Sequence, residues 1–334
     1  MPSRPQLDSP AWLHRHDLTP DDGVRMIALR QQVAGTKGML RGIEARPAFD
    51  ALSKRVPTPD GVSFREETIG GVPGIRCIPR DAHSKTILVH FHGGWFTWGT
   101  PSGFRNLVGH IALHSGCAAF IPDYRLAPEN PFPAAIDDAL ACVAALRDRA
   151  ANGIAISGDS AGGNLALLLS SRQKLGLVGV VALSPVTDLA LGGASWETKA
   201  DADPYFTRAQ VQSLVDGYLA GHDPKGPAAS PLYGALNTLP PLQIHVGTEE
   251  VLLNDAEDFA LAADAAGGDV QLHVWEGMPH GFLSGVGRFD AAGEGLSLIG
   301  EFLAARSRPG IAAPNRSPLN QQSEPTDSNA KVVE

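Results

Sequence analysis

No apolar run in the chain approaches the roughly 20 residues that a membrane span needs, and residues 1–17 are polar, without the apolar stretch that heads a secretory signal. Basic residues are too few to form a stripe: 27 Lys and Arg stand against 36 Asp and Glu, a formal net charge of −9. That balance argues against a nucleic-acid partner, and the missing span argues against a membrane. Cysteine is scarce. Cys77, Cys117 and Cys142 lie far apart, without metal-ligand spacing, and two of them fall in apolar runs. Free buried thiols, a reducing compartment and a cytoplasmic protein are expected. Internal repeats are also lacking. What the chain does have is size and apolar content, 334 residues of which 43% are hydrophobic. This suits one large α/β domain with an insertion, or two domains.

One stretch organises the rest: Gly158-Asp159-Ser160-Ala161-Gly162-Gly163. Before it lies a short branched run, 153–156, which reads as a buried strand. After it, Asn164-Leu165-Ala166-Leu167-Leu168-Leu169 reads as a helix packed on a sheet. A serine between strand and helix on a strained turn crowds the positions two residues either side, and glycine relieves both. Such a turn exposes the hydroxyl and aims the first helical N–H groups at whatever it attacks.

The chain alternates strand-like and helix-like segments. Residues 1–50 read as helical and separate from the sheet, with a helix start at Thr19-Pro20-Asp21-Asp22 and a narrow docking face of Val24, Ile27 and Ala28. Strands are expected near 63–69 and 74–78, joined as a hairpin through Gly70-Gly71, then at 86–91, 117–122, 178–183, 242–246 and 270–275. Helices are expected after Pro133 and over 208–219, 255–266 and 289–306. Alternation through the elbow implies a parallel sheet with right-handed crossovers. The polar stretch 190–230 reads as an insertion and 307–334 as a disordered tail. The expected division is an N-terminal helical cap segment at 1–60 and a catalytic domain at 61–306.

A serine hydroxyl needs a base. His280, in Met278-Pro279-His280-Gly281-Phe282 just past the last expected strand, is the candidate. His14, His16, His83, His110, His114 and His222 read as surface residues, and His245 and His273 as strand residues facing a helix layer. His90-Phe91-His92 offers two imidazoles but no acid or cysteine at ligand spacing, so neither a metal nor another cofactor is expected. Gly93 and Gly94 at a strand end, with Ala161 after the serine, are candidate donors of an oxyanion hole. The acid that orients the base is one of Glu249, Glu250 and Asp255, all at or beyond the end of the 242–246 strand. Asp123 and Arg125 read as a structural ion pair, and Asp159 as a locally hydrogen-bonded residue. Trp95, Phe96, Trp98, Tyr205 and Phe206 either line a pocket or pack a cap.

In these motifs, over about residues 60–305, the chain resembles the bacterial hormone-sensitive-lipase-like esterases of the α/β-hydrolase superfamily. The motifs are His92-Gly93-Gly94, Asp123 to Glu129 with Pro131-Phe132-Pro133-Ala134-Ala135, the elbow, and Met278 to Phe282. The resemblance implies an eight-stranded, mostly parallel sheet under a helical cap, hydrolysis of short-chain carboxylic esters by Ser160, Glu250 and His280, and frequent homodimers. Glu250-Val251-Leu252 stands where the family has Asp-Pro-Leu, and Trp95 where it usually has a third glycine. Lactone opening and formamide hydrolysis would use the same machinery. A non-catalytic small-molecule binding protein on this fold would want a lost base, whereas His280 is present.

Overall fold

Short branched runs alternating with longer Ala- and Leu-rich ones build a single sheet with helices on both faces. The structure is a computed structural model and describes residues 10–147 and 149–307. The expected tail, apart from Ser307, lies outside the described residues. In chain order the elements are β1 (Leu13–His16), α1 (Pro20–Gln32), α2 (Arg46–Ser53), β2 (Val62–Ile69), β3 (Val72–Pro79), β4 (Ile87–Phe91), α3 (Pro101–Ser115), β5 (Ala118–Pro122) and α4 (Ala134–Arg147). There follow β6 (Ile154–Asp159), α5 (Ala161–Ser170), β7 (Leu177–Leu183), α6 (Ser195–Thr198), α7 (Arg208–Leu219), β8 (Leu242–Glu249), α8 (Leu253–Ala265), β9 (Val270–Pro279) and α9 (Asp290–Arg306). No helix of the described residues is long and apolar enough to cross a membrane.

The sheet has nine strands in the order β1-β9-β8-β7-β6-β4-β5-β3-β2. Only β3 and β2 run antiparallel to their neighbours, closing as a hairpin through the left-handed pair Gly70 and Gly71. Alternate side chains of the central strands feed two cores. Val89, Phe91, Ile156 and Ile244 pack with α4, α5 and α8, while Leu88, Ala155 and Val181 pack with α1, α3 and α9. A fully buried side chain of this size contributes about 1.5–3 kcal/mol.

The ninth strand corrects the expected count of eight and the reading of 1–50 as separate from the sheet. β1 is Leu13-His14-Arg15-His16, paired in parallel with β9 through Leu272 to Trp275. One leucine followed by three polar residues carries no strand signal of its own; the neighbouring strand supplies it. The helix start at Thr19 is as expected, its hydroxyl accepting from the Asp22 N–H at 3.1 Å. The docking face is not. Val24 and Ile27 are 67% and 61% exposed, and α1 buries Asp22, Met26 and Leu29 instead. The reason is polar. Asp22 accepts from the backbone N–H groups of Asp290 and Ala291 at 2.8 and 3.0 Å, capping α9 from another helix. That anchor fixes which face of α1 turns inward.

β1 is also held by a directed relay of side chains, so His16 is not a surface residue. An indole N–H only donates. Trp275 Nε1 therefore donates to His245 Nδ1 (3.2 Å), which leaves the His245 proton on Nε2, facing Gln243 Oε1 at 3.1 Å. The Gln243 amide then donates to His273 Nε2 (3.4 Å), and His273 Nδ1–H to His16 Nε2 (3.0 Å). His16 Nδ1–H is left for Glu294 on α9, at 3.3 Å. His14 stacks on His273, and His16 on Trp275 at 3.7 Å. Arg15, between them, pairs with Glu257 on α8.

Each ring in this relay is required neutral. Burial lowers His16, His245 and His273 from the ordinary 6.5, His273 to about 3; neighbouring imidazoles push the same way, and at His16 the charge and hydrogen bond of Glu294 oppose them without reversing the shift. A folded value below the unfolded one gives stability that is full above pH 6.5 and lost as pH falls toward 3. The midpoint of thermal unfolding should therefore fall over that window, and less steeply in His273→Gln. Identical slopes in the two proteins would contradict the relay.

Candidate active site

The carboxyl ends of the parallel strands bring the site together. β6 runs into α5 through Ser160, whose φ of 56° and ψ of −114° lie outside the usual regions for a side-chain-bearing residue. Glycine makes the turn possible. A Cβ on Gly158 would meet the Gly162 carbonyl oxygen at 2.0 Å, and one on Gly162 would meet that of Phe91 at 1.9 Å. The turn is tied to the next strand, Ser160 N–H donating to the Leu183 carbonyl at 2.8 Å.

His280 follows β9 directly. Its ring is 10% exposed, and its Nδ1 lies 2.7 Å from Glu250 Oε2. Glu250 is fully buried one residue past β8, beside the register shift between β8 and β9. Its other oxygen accepts from the Gly247 N–H at 2.7 Å and the Ser184 hydroxyl at 2.8 Å. A carboxylate so bonded can stabilise an imidazolium. Burial pulls the His280 pKa down, but the hydrogen bond and charge of Glu250, helped by Asp159 and Asp203, outweigh it and raise it to about 9.

The other two acids are engaged elsewhere. Glu249 pairs with Arg30 of α1 at 2.6 Å. Asp255 accepts from the N–H groups of Thr187 and Asp188 at 2.8 and 3.0 Å, and burial raises its pKa to about 7. Of the three, Glu250 is the one brought to His280.

Gly93 and Gly94 follow β4 in a turn where Gly94, Trp95 and Phe96 all have positive φ, closed by Trp98 N–H on the Gly94 carbonyl at 2.8 Å. A Cβ on Gly93 would lie 3.3 Å from that of Ser160 and 2.4 Å from Asp159 Oδ2, so this backbone passes against the elbow. Ala161 opens α5 on the other side. His90 and His92 serve structure. The first bonds Ser157 at 2.8 Å, and the second donates to the Gly93 carbonyl at 2.9 Å while stacked on Tyr124. No group of three potential metal ligands converges among the described residues.

Ser160 and His280 line one cavity of about 960 Å³, with Asp159, Gly94, Trp95, Trp98, Tyr205 and Phe206 on its wall. Phe206 meets the His280 ring edge-on at 5.1 Å and Trp95 at 5.6 Å. Phe96 does not reach the cavity; its ring lies flat on Tyr218 at 3.7 Å. Two further expectations are corrected. Arg125 pairs with Asp138 at 2.7 Å rather than with Asp123, because its N–H and its guanidinium both reach that carboxylate. Asp159 has no side-chain hydrogen bond among the described residues; burial raises its pKa to about 6, against the pull of His280.

Two residues of the site carried no sequence signal. Ser184, with a φ of 43°, holds Glu250. Asp203 is fully buried and accepts from the N–H groups of Tyr205, Phe206 and Val251 at 2.7, 2.9 and 3.0 Å. It ties the aromatic wall to the turn that bears Glu250. The stretch containing it also meets the N-terminal segment, since Lys37 donates to the carbonyls of Ala200 and Asp203, and Gly38 N–H to that of Tyr205.

Residues 88–284 match the family described as having the alpha/beta hydrolase fold. The chain is 38% identical to an acetyl-hydrolase of Streptomyces hygroscopicus over 71% of its own length and 78% of that protein's. It is 34% identical to an esterase of Acinetobacter venetianus, over 77% and 87%. Among solved structures it is similar to an esterase of the bacterial hormone-sensitive lipase family, with a TM-score of 0.79 and 31% identity over 87% of this chain and 99% of that one. A hormone-sensitive-lipase homologue from a metagenome library gives a TM-score of 0.79 at 36% identity, over 88% and 100%. With the fold, the elbow and these likenesses together, the chain belongs to the α/β-hydrolase family, among the hormone-sensitive-lipase-like esterases.

Proposed function

We propose that the protein is a serine carboxylesterase acting on short-chain acyl esters. One observation carries this reading: the imidazole of His280 is held by the buried carboxylate of Glu250 in the same cavity as the strained Ser160. In the proposed cycle Ser160 Oγ attacks the ester carbonyl as His280 Nε2 takes its proton. Glu250 keeps the other ring proton on Nδ1 and stabilises the imidazolium. The N–H groups of Gly93, Gly94 and Ala161 receive the developing oxyanion. His280 then protonates the leaving alcohol, and water repeats the sequence on the acyl-enzyme.

The acyl side is read from Trp95. Its indole stands where the family usually has glycine, packed edge-on against Phe206 beside the elbow. Such a wall leaves room for few acyl carbons. The helical stretch at 190–230 and residues 18–60 are read as the cap over the site, and the three cysteines, all buried and free, fit a cytoplasmic protein.

Three measurements test the proposal. Glu250→Gln should lower kcat on the order of 10⁴-fold by favouring the wrong tautomer, while Glu249→Gln and Asp255→Asn stay within about tenfold of wild type; a large loss confined to Asp255→Asn would move the acid. In the wild type kcat/KM should rise with pH through the deprotonation of His280, with a midpoint displaced above 6.5 toward about 9. Glu250→Gln should return it to lower pH, since burial is then opposed only by the charges of Asp159 and Asp203. Butanoyl esters should be turned over faster than dodecanoyl esters. Trp95→Gly, tolerated at a φ of 51°, should narrow that difference.

A further inference from the structure

Asp203 is a fully buried carboxylate that the proposed cycle does not use. Its two oxygens differ in what they hold. Oδ1 accepts from the N–H groups of Tyr205 and Phe206, at 2.7 and 2.9 Å. That is a local turn, and an asparagine would make it as well. Oδ2 accepts from the Val251 N–H at 3.0 Å, across 48 residues of chain. There an asparagine fails, because its NH2 group would face another donor. No cation pairs with this carboxylate among the described residues, so its burial as an anion is costly. A turn alone gives no reason to bury a charge here; the second oxygen does.

Both sets of bonds end at the reactive groups. Val251 follows Glu250 directly. Its N–H goes to Asp203, and its carbonyl accepts from the Ser195 hydroxyl at 2.5 Å, so both backbone groups of the residue after the acid are taken by the stretch 195–203. Phe206, at the other end, meets the His280 ring edge-on at 5.1 Å. One carboxylate therefore fixes the turn behind the acid and the ring beside the base. The stretch is itself held from outside. Arg30 of α1 donates to the Ala202 carbonyl and to Glu249, both at 2.6 Å, and Lys37 donates to the Asp203 carbonyl.

We propose that Asp203 is a positioning residue of the esterase, setting Glu250 against His280 through the Val251 N–H on one oxygen and the Phe206 N–H on the other. The inference rests on the esterase reading above, in which Glu250 and His280 form the acid–base pair. A misplacement of about 1 Å in such a pair costs on the order of 10²-fold in rate. Asp203 is also one of three carboxylates, with Glu250 and Asp159, whose charge raises the pKa of His280. A neutral side chain at 203 removes that charge and loosens the bond to Glu250. Both changes lower the pH at which His280 loses its proton.

The test compares Asp203→Asn with Asp255→Asn in the hydrolysis of a butanoyl ester across pH. Asp255 is also buried and also accepts two backbone N–H groups, but both on Oδ1; its Oδ2 has no hydrogen-bond partner, so an amide meets no donor there. In Asp203→Asn the midpoint of kcat/KM should move to lower pH. On the alkaline plateau, where His280 is neutral in every variant, kcat should fall by about 10²-fold. Asp255→Asn should leave the midpoint in place. Should Asp203→Asn not fold, Asp203→Ser takes its place: a hydroxyl can still close the turn but has no second oxygen for Val251, and the same loss and shift are expected. Wild-type kcat in the folded variant, or a lower rate with an unmoved midpoint, overturns the inference and leaves the esterase reading intact. An equal shift in Asp255→Asn also overturns it. If the wild type hydrolyses no ester, the esterase reading fails. Titration of the His280 ring protons by NMR, in the wild type and in Asp203→Asn, then decides positioning alone: a lower midpoint in the variant supports it, and an unchanged one overturns it.

Discussion

A buried carboxylate on an imidazole, Glu250 Oε2 to His280 Nδ1 at 2.7 Å, is the contact around which the rest of the site is arranged. A fully buried charge is tolerated only when its lone pairs are taken. Glu250 meets this condition with three donors from three parts of the chain: Gly247 near the end of β8, Ser184 just past β7, and His280 after β9. Parallel strands deliver all three because they end on the same edge of the sheet, where the β6–α5 turn also exposes Ser160. Loss of any donor would leave a buried lone pair unpaired, so one interaction couples the register of three strands to the placement of His280.

The same economy governs the segment before the hairpin. It is bound to the body at separated polar points: β1 by the imidazole relay, Asp22 as a cap on α9, Arg30 on Glu249, Lys37 on the carbonyls of Ala200 and Asp203. Between these points its apolar side chains divide: Met26 and Ala45 lie in the core, while Met39 and Leu52 face the cavity. Arg30 holds the residue next to Glu250, and Asp203 holds both Val251 and the Phe206 that touches His280. The cavity wall and the reactive groups thus share supports.

Much of this could be read from the sequence. The order of strands and helices followed from hydrophobic period, since buried parallel strands are short and branched and their helices longer and leucine-rich. Ser160 and its glycines were legible because steric need leaves a fixed spacing, and His280 because it alone among the histidines follows the last strand. Separating Glu250 from Glu249 and Asp255 took resemblance, because local sequence explains all three carboxylates equally well. What stayed hidden depends on distant partners. Leu13-His14-Arg15-His16 becomes a strand only against β9, α1 turns on a cap it supplies to α9, and the hydrogen bonds of the Asp203 carboxylate go to backbone N–H groups up to 48 residues away. Phe96 illustrates the limit for aromatics: one residue from Trp95, it leaves the cavity wall because two successive left-handed residues turn it onto Tyr218.

The central claim is that Glu250, through His280, makes Ser160 a nucleophile. The most direct measurement is the rate at which a fluorophosphonate forms a covalent adduct, with the site found by mass spectrometry, in the wild type and in Glu250→Gln. The account predicts a single adduct on Ser160, formed rapidly by the wild type and slower by orders of magnitude in the variant. An adduct on another residue, or equal rates in the two proteins, would contradict it.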